Sequence, residues 1–81
     1  MPRYFFHVLH DGAQPDMEGH EFADIRAARM AAVRLSGEMI KEIDGKFWNA
    51  PAWHLQVTGH DRELLFTLTF SAEEHDSREG D

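Results

Sequence analysis

The chain has no cysteine. That excludes disulfides, thiolate nucleophiles and cysteine-based zinc sites together, and it fits a reducing compartment. Glycine and proline are sparse, six and three in 81 residues, and the glycines are scattered singly, so no phosphate-cradling glycine loop is present. No apolar run approaches the ~20 residues needed to cross a bilayer. The opening Met1-Pro2-Arg3-Tyr4-Phe5-Phe6-His7 lacks the apolar stretch and small-residue cleavage site of a secretion signal. The expected setting is cytoplasmic, with no membrane partner. Basic residues are also few, eight Lys and Arg against fifteen Asp and Glu, for a net charge of −7. Residues 72–81 carry five acids and one arginine, and the body, residues 1–71, carries ten acids and seven bases. Phosphate backbones are bound through a basic stripe and counterion release, so nucleic acid is not an expected partner. A basic partner protein suits the acidic body and tail better.

What remains is the composition of one small globular domain, with 42% hydrophobic residues and nine aromatics. A chain of this size buries only about 60% of the surface its unfolded form exposes. With no crosslink to reinforce so modest a core, oligomerisation is the usual remaining device.

Arg3 to His10 reads as a strand ending at the turn signal Asp11-Gly12. Tyr4, Phe6 and Val8 share one face and Phe5, His7 and Leu9 the other; both are apolar enough for a central position. Asp11 to Gly19 is a polar turn region, followed by a short strand over His20–Ala23 with Phe22 pointing inward. Asp24 has the character of a helix N-cap. From Ile25 to about Asp44 the residues Ile25, Ala28, Ala32, Leu35, Met39 and Ile43 recur at steps of three and four, one face of an amphipathic helix, with Gly45 as its stop. Gly37, mid-helix, implies close approach to the sheet. Lys46 to Ala52 reads as a loop with Phe47 and Trp48 tucked under the helix end.

Trp53 to Thr58 alternates, with Trp53, Leu55 and Val57 opposed to His54, Gln56 and Thr58. After a turn at Gly59-His60-Asp61-Arg62, Leu64, Phe66, Leu68 and Phe70 oppose Leu65, Thr67 and Thr69. The two runs form a β-hairpin. The fold class is therefore α+β: a three- to four-stranded antiparallel sheet in the order β-β-α-β-β, with one helix on one face, over Tyr4, Phe6, Val8, Leu55, Val57, Phe66 and Leu68. The preferred strand order puts the first and last strands together at the centre. Residues 1–71 make one domain, and 72–81 an acidic tail expected to be disordered.

The ends of the chain carry a signature. Met1-Pro2-Arg3-Tyr4-Phe5-Phe6-His7-Val8, then Asp11-Gly12, Asp16, Glu18-Gly19, Phe22, Asp24 and Ala27-Ala28, and finally Val57-Thr58, Asp61, Leu64 or Leu65, Leu68 and Phe70, are similar to a family of short bacterial domains of unknown function. Its members open with the same MPRYFFHV run and close with a comparable hairpin. The resemblance spans roughly residues 1–71 and implies a shared fold, but no activity, ligand or catalytic residue. The final turn departs from it, with His60-Asp61-Arg62 where an Asp-Gly type is expected.

No chemistry-bearing pattern stands out. Six histidines invite a metal reading, but His7 and His10, three apart on a strand, point to opposite faces. Neither His-Glu-x-x-His nor a four-ligand spacing occurs. Asp11, Asp16, Glu18, Glu21 and Asp24 lack the ligand spacing of a calcium loop and read as a solvated turn. No serine sits in a nucleophile-elbow pattern. No catalytic residue, metal ligand or cofactor is assigned, and the chain is not expected to be an enzyme.

The sheet face away from the helix is the one candidate surface: Phe5, His7, Leu9, His54, Gln56, Thr58, Leu65, Thr67 and Thr69. Apolar residues gathered on an open face point to contact with something. The expected function is a small interaction or regulatory domain that self-associates, as a homodimer through this face, or binds another protein. The alternative is a small-ligand or metal-binding protein using its surface histidines.

Overall fold

The computed structural model describes residues 1–43, 45–49 and 52–75. The expected alternation is realised in β1, Arg3–Leu9, where Tyr4, Phe6 and Val8 are buried and the odd-numbered residues half-buried. It recurs in β4, Ala52–Thr58, whose Trp53, Leu55 and Val57 are the most deeply buried large side chains of the molecule. Removing such side chains from water stabilises the fold by about 1.5–3 kcal/mol each. In β5, Leu64–Ser71, the inward Phe66, Leu68 and Phe70 are only partly buried.

These strands form an antiparallel sheet in which β1 pairs with β4 and β4 with β5. The expectation that the first and last strands lie together is therefore corrected: the penultimate strand stands between them. The burial pattern gives the reason. Trp53, Leu55 and Val57 need a neighbour on each side to exclude water completely, whereas the half-covered row of β5 suits an edge.

Two short strands complete the sheet. β2, Ala13–Gln14, pairs with Val8 and Leu9, and β3, His20–Glu21, pairs with Arg3 and Tyr4. β2 lies within the stretch Asp11 to Gly19, expected to be a polar turn region without a strand. Asp11 and Gly12 take positive φ values of 54° and 123°, reversing the chain so sharply that it returns at once along β1. The expected strand over His20–Ala23 shrinks to two residues. Phe22 still turns inward, its ring stacked 5.9 Å from Phe6.

Asp24 caps α1, Ile25–Ile43, by accepting from the Ala27 N–H at 2.9 Å. The expected end near Asp44 lies outside the described residues. The closest approach of α1 to the sheet is through Ala28, Ala32 and Ser36, all fully buried. Ile25, Leu35, Met39 and Ile43 pack around them. Gly37 is not the contact point: it is exposed, and a Cβ built there meets nothing within 4 Å. Its neighbour Ser36 fills that role, with a hydroxyl that finds no partner among the described residues.

Lys46–Asn49 forms a single helical turn, α2, where a loop is expected. Phe47 stacks 6.3 Å from the His10 ring, but Trp48 is 54% exposed rather than tucked in. Ala50 and Pro51 lie outside the described residues. Beyond β5, residues 72–75 belong to no helix or strand, and the expectation of disorder over 76–81 falls outside the described residues.

Candidate functional site

Adjacency of β1 and β4 brings the nominated face together. Cα pairing sets Leu9 beside His54 and His54 beside Thr69, His7 beside Gln56 and Gln56 beside Thr67, and Phe5 beside Thr58. Three rows of residues thus cross one side of the sheet. At the third row the ladder slips: Val57 pairs with Phe66 but Thr58 with Leu64, so one extra β5 residue is accommodated in a bulge. Leu64, expected in the inward set, instead pairs with outward-facing Thr58 and is 57% exposed. Leu65 is 39% exposed.

The two halves of this face differ. On the β1 side the outward side chains are tied down by the chain's own loop. Asp16 is the tie. Its Oδ2 accepts from the Phe6 N–H at 3.1 Å, satisfying a β1 backbone donor between the short strands β2 and β3. Its Oδ1 accepts from the N–H groups of Glu18 (3.1 Å) and Gly19 (3.0 Å). Its own N–H donates to His7 Nδ1 at 3.0 Å. His7 must then carry its proton on Nε2 when neutral, donating 2.9 Å to Thr58 Oγ1 and linking β1 to β4. Burial pushes the Asp16 carboxyl up. The hydrogen bonds from Gly19, Phe6 and Glu18, with a smaller pull from His20, outweigh it and hold it below the ordinary 3.8.

Gly19 completes the loop. Its φ is +73°, and a Cβ there would lie 2.8 Å from Phe5 Cε2 and 2.9 Å from the Tyr4 carbonyl oxygen. Only glycine fits. Arg3 adds a 2.7 Å hydrogen bond to the Glu18 carbonyl and a 3.3 Å contact to Glu21. This last pair is largely solvated and worth about 0–1 kcal/mol.

On the β5 side, Thr67 and Thr69 are exposed, and His54 Nδ1 lies 3.1 Å from Thr69 Oγ1. The histidines are dispersed. His7 and His54 share the face, but His7 has both ring nitrogens engaged, and His20 packs among Phe6 and Phe22. Among the described residues no three His, Asp or Glu side chains are grouped to hold a metal ion. None of the described helices is long and apolar enough to cross a membrane.

The sequence reading placed Asp16 in a solvated acidic turn and missed its role. A signal was present: an aspartate two and three residues before Glu-Gly is the pattern of a side chain accepting from the backbone just ahead of it. The Asp16, Glu18-Gly19 signature is thus a structural device of the sheet edge.

A model of a domain of unknown function, DUF6894, matches residues 3–71. The chain belongs to the DUF6894 family. No curated protein and no solved structure matches it. In this DUF6894 domain the matched segment begins at the first residue of β1 and ends at the last of β5, the whole of the sheet and its helices.

Proposed function

We propose that this DUF6894 domain is a non-enzymatic protein-interaction or regulatory module whose working surface is the β4–β5 half of the outward sheet face. One observation carries the reading. Leu64, Thr67 and Thr69 stand exposed on β5, with Leu65 part-exposed at the bulge, while the β1 half of the same face is occupied by the chain's own loop. Of the residues nominated from the sequence, His54, Gln56 and Thr67 belong to the contact half and Leu65 borders it at the bulge, near Tyr4 and Ile25; Phe5, His7 and Leu9 support it from β1. The cysteine-free composition fits action in the cytoplasm.

The test combines solution mass with capture. Wild type is measured by light scattering at micromolar concentrations, and a tagged form is used to capture partners, each beside Leu65→Ser. Self-association, or a captured protein that Leu65→Ser loses, is the expected result. A strictly monomeric wild type whose captured set is unchanged by Leu65→Ser removes the reading.

A further inference from the structure

Among the described residues, one edge of the sheet is left open. β5 is terminal in the strand order, and Leu64–Ser71 contains no Lys, Arg, Asp, Glu or Pro. Native sheets blunt such a row of unpaired N–H and C=O groups with a charge, a proline, a very short strand or a cover. The far edge of β1 is treated in that way, by two short strands and the Asp16 carboxylate between them. The inward row of β5 lacks cover as well, since Phe66, Leu68 and Phe70 are only partly buried.

We propose that β5 pairs antiparallel with β5 of a second copy about a two-fold axis at Leu68, joining two sheets into one. The proposal rests on the interaction-module reading and names its partner. Three considerations set the register. Directly opposed residues share a face, so inward residues must meet inward residues. The bulge takes Leu64 and Leu65 out of regular pairing, which moves the centre into Phe66–Ser71. Within that stretch, an axis at Leu68 opposes Phe66 to Phe70, Leu68 to Leu68, and Thr67 to Thr69. Every pair is like with like, the self-complementarity a two-fold contact requires. The two half-covered apolar rows then flank one another.

A second copy is also the occupant that charge favours. With a net charge of −7, broad faces of two copies repel, but the residues that meet here, Phe66 to Phe70, are uncharged. Each copy offers one open edge, so pairing consumes both and assembly closes at two.

The lack of cysteine permits a direct test. Thr67→Cys and Thr69→Cys are made separately, both at exposed positions. When the two are mixed and oxidised, opposed Cα atoms about 4.5–5.5 Å apart allow a disulfide. Either variant alone places its cysteines on the diagonal, about 7–8 Å apart, and crosslinks poorly. Met30→Cys, on the outer side of α1, crosslinks no more than background. Thr67→Lys, with its circular dichroism unchanged, shifts the wild-type dimer to monomer. A monomeric wild type overturns the proposal, as does a dimer that survives Thr67→Lys or shows no preference for the mixed crosslink. In the last two cases the broader reading still stands on the outward sheet face away from the β5 edge; a monomer whose captured set Leu65→Ser leaves unchanged removes both.

Discussion

The two edges of this sheet solve the same problem in opposite ways. Beyond β1 the chain folds back twice, in two-residue strands, and inserts a carboxylate where neither reaches. That edge is closed by parts too short to template a further strand. At the other edge, β5 is a continuous uncharged run of eight residues with no further strand beside it among the described residues. Every strained or crowded backbone element on the first edge works to seal it. On the second, a bulge lies beside the hairpin turn and its positive-φ Arg62, and the remaining ladder is regular. Sealing an edge from within needs a specific loop, and Asp16, Glu18 and Gly19 supply it.

The sharpest way to break the closed edge is Gly19→Ala. A left-handed non-glycine residue costs about 1–2 kcal/mol, and overpacking against Phe5 and the Tyr4 carbonyl adds about 1–3 kcal/mol. A loss of about 3 kcal/mol in urea unfolding is expected. Asp16→Ala comes next, at about 2 kcal/mol, because the Phe6, Glu18 and Gly19 N–H groups lose their acceptor. This edge also has a pH signature. Asp16 titrates lower in the folded state than in the unfolded chain, so its contribution is complete above the ordinary carboxylate range. It is lost as pH falls through the lowered folded value. Wild-type stability should therefore drop more steeply below about pH 4 than that of Asp16→Asn.

On the open side, substitutions act gently on the folded chain. Arg62 takes φ +67° in the hairpin turn, between the Arg62 N–H to Gly59 carbonyl bond and the start of β5. Arg62→Gly relieves that strain and should stabilise by about 1 kcal/mol. Thr67→Lys should cost the isolated chain only about 0.5 kcal/mol, measured at dilutions where no association occurs. A large stability loss from Thr67→Lys at such dilution would show that the β5 edge is sealed within the single chain, and the contrast between the edges would disappear.

The helix was legible down to its cap. Asp24, the 3–4 spacing of apolar residues and the alternation in β1 and β4 are local patterns, each read correctly because burial of one face determines them. The hairpin was legible too, and the resemblance to a family of short domains agreed with the match over residues 3–71. The misreadings fall where local pattern is silent. Gly37 signalled close packing, yet Ser36 makes the contact, because helix rotation relative to the sheet shifts the contact by one residue. Leu64 followed the alternation of β5, but a bulge pairs it with an outward-facing residue. Of the outward face, Leu64 was assigned to the wrong side, and which half the chain itself occupies was not legible.

Period and propensity along the chain determined which segments became strands and helix and which side of each turned inward, since both follow from neighbours within a few residues. Strand order, the carboxylate seal of Asp16 and the open edge at β5 were settled only in three dimensions. They depend on which backbone donors remain after distant segments have paired, and a hydrogen bond ten residues away in sequence has no local period to announce it.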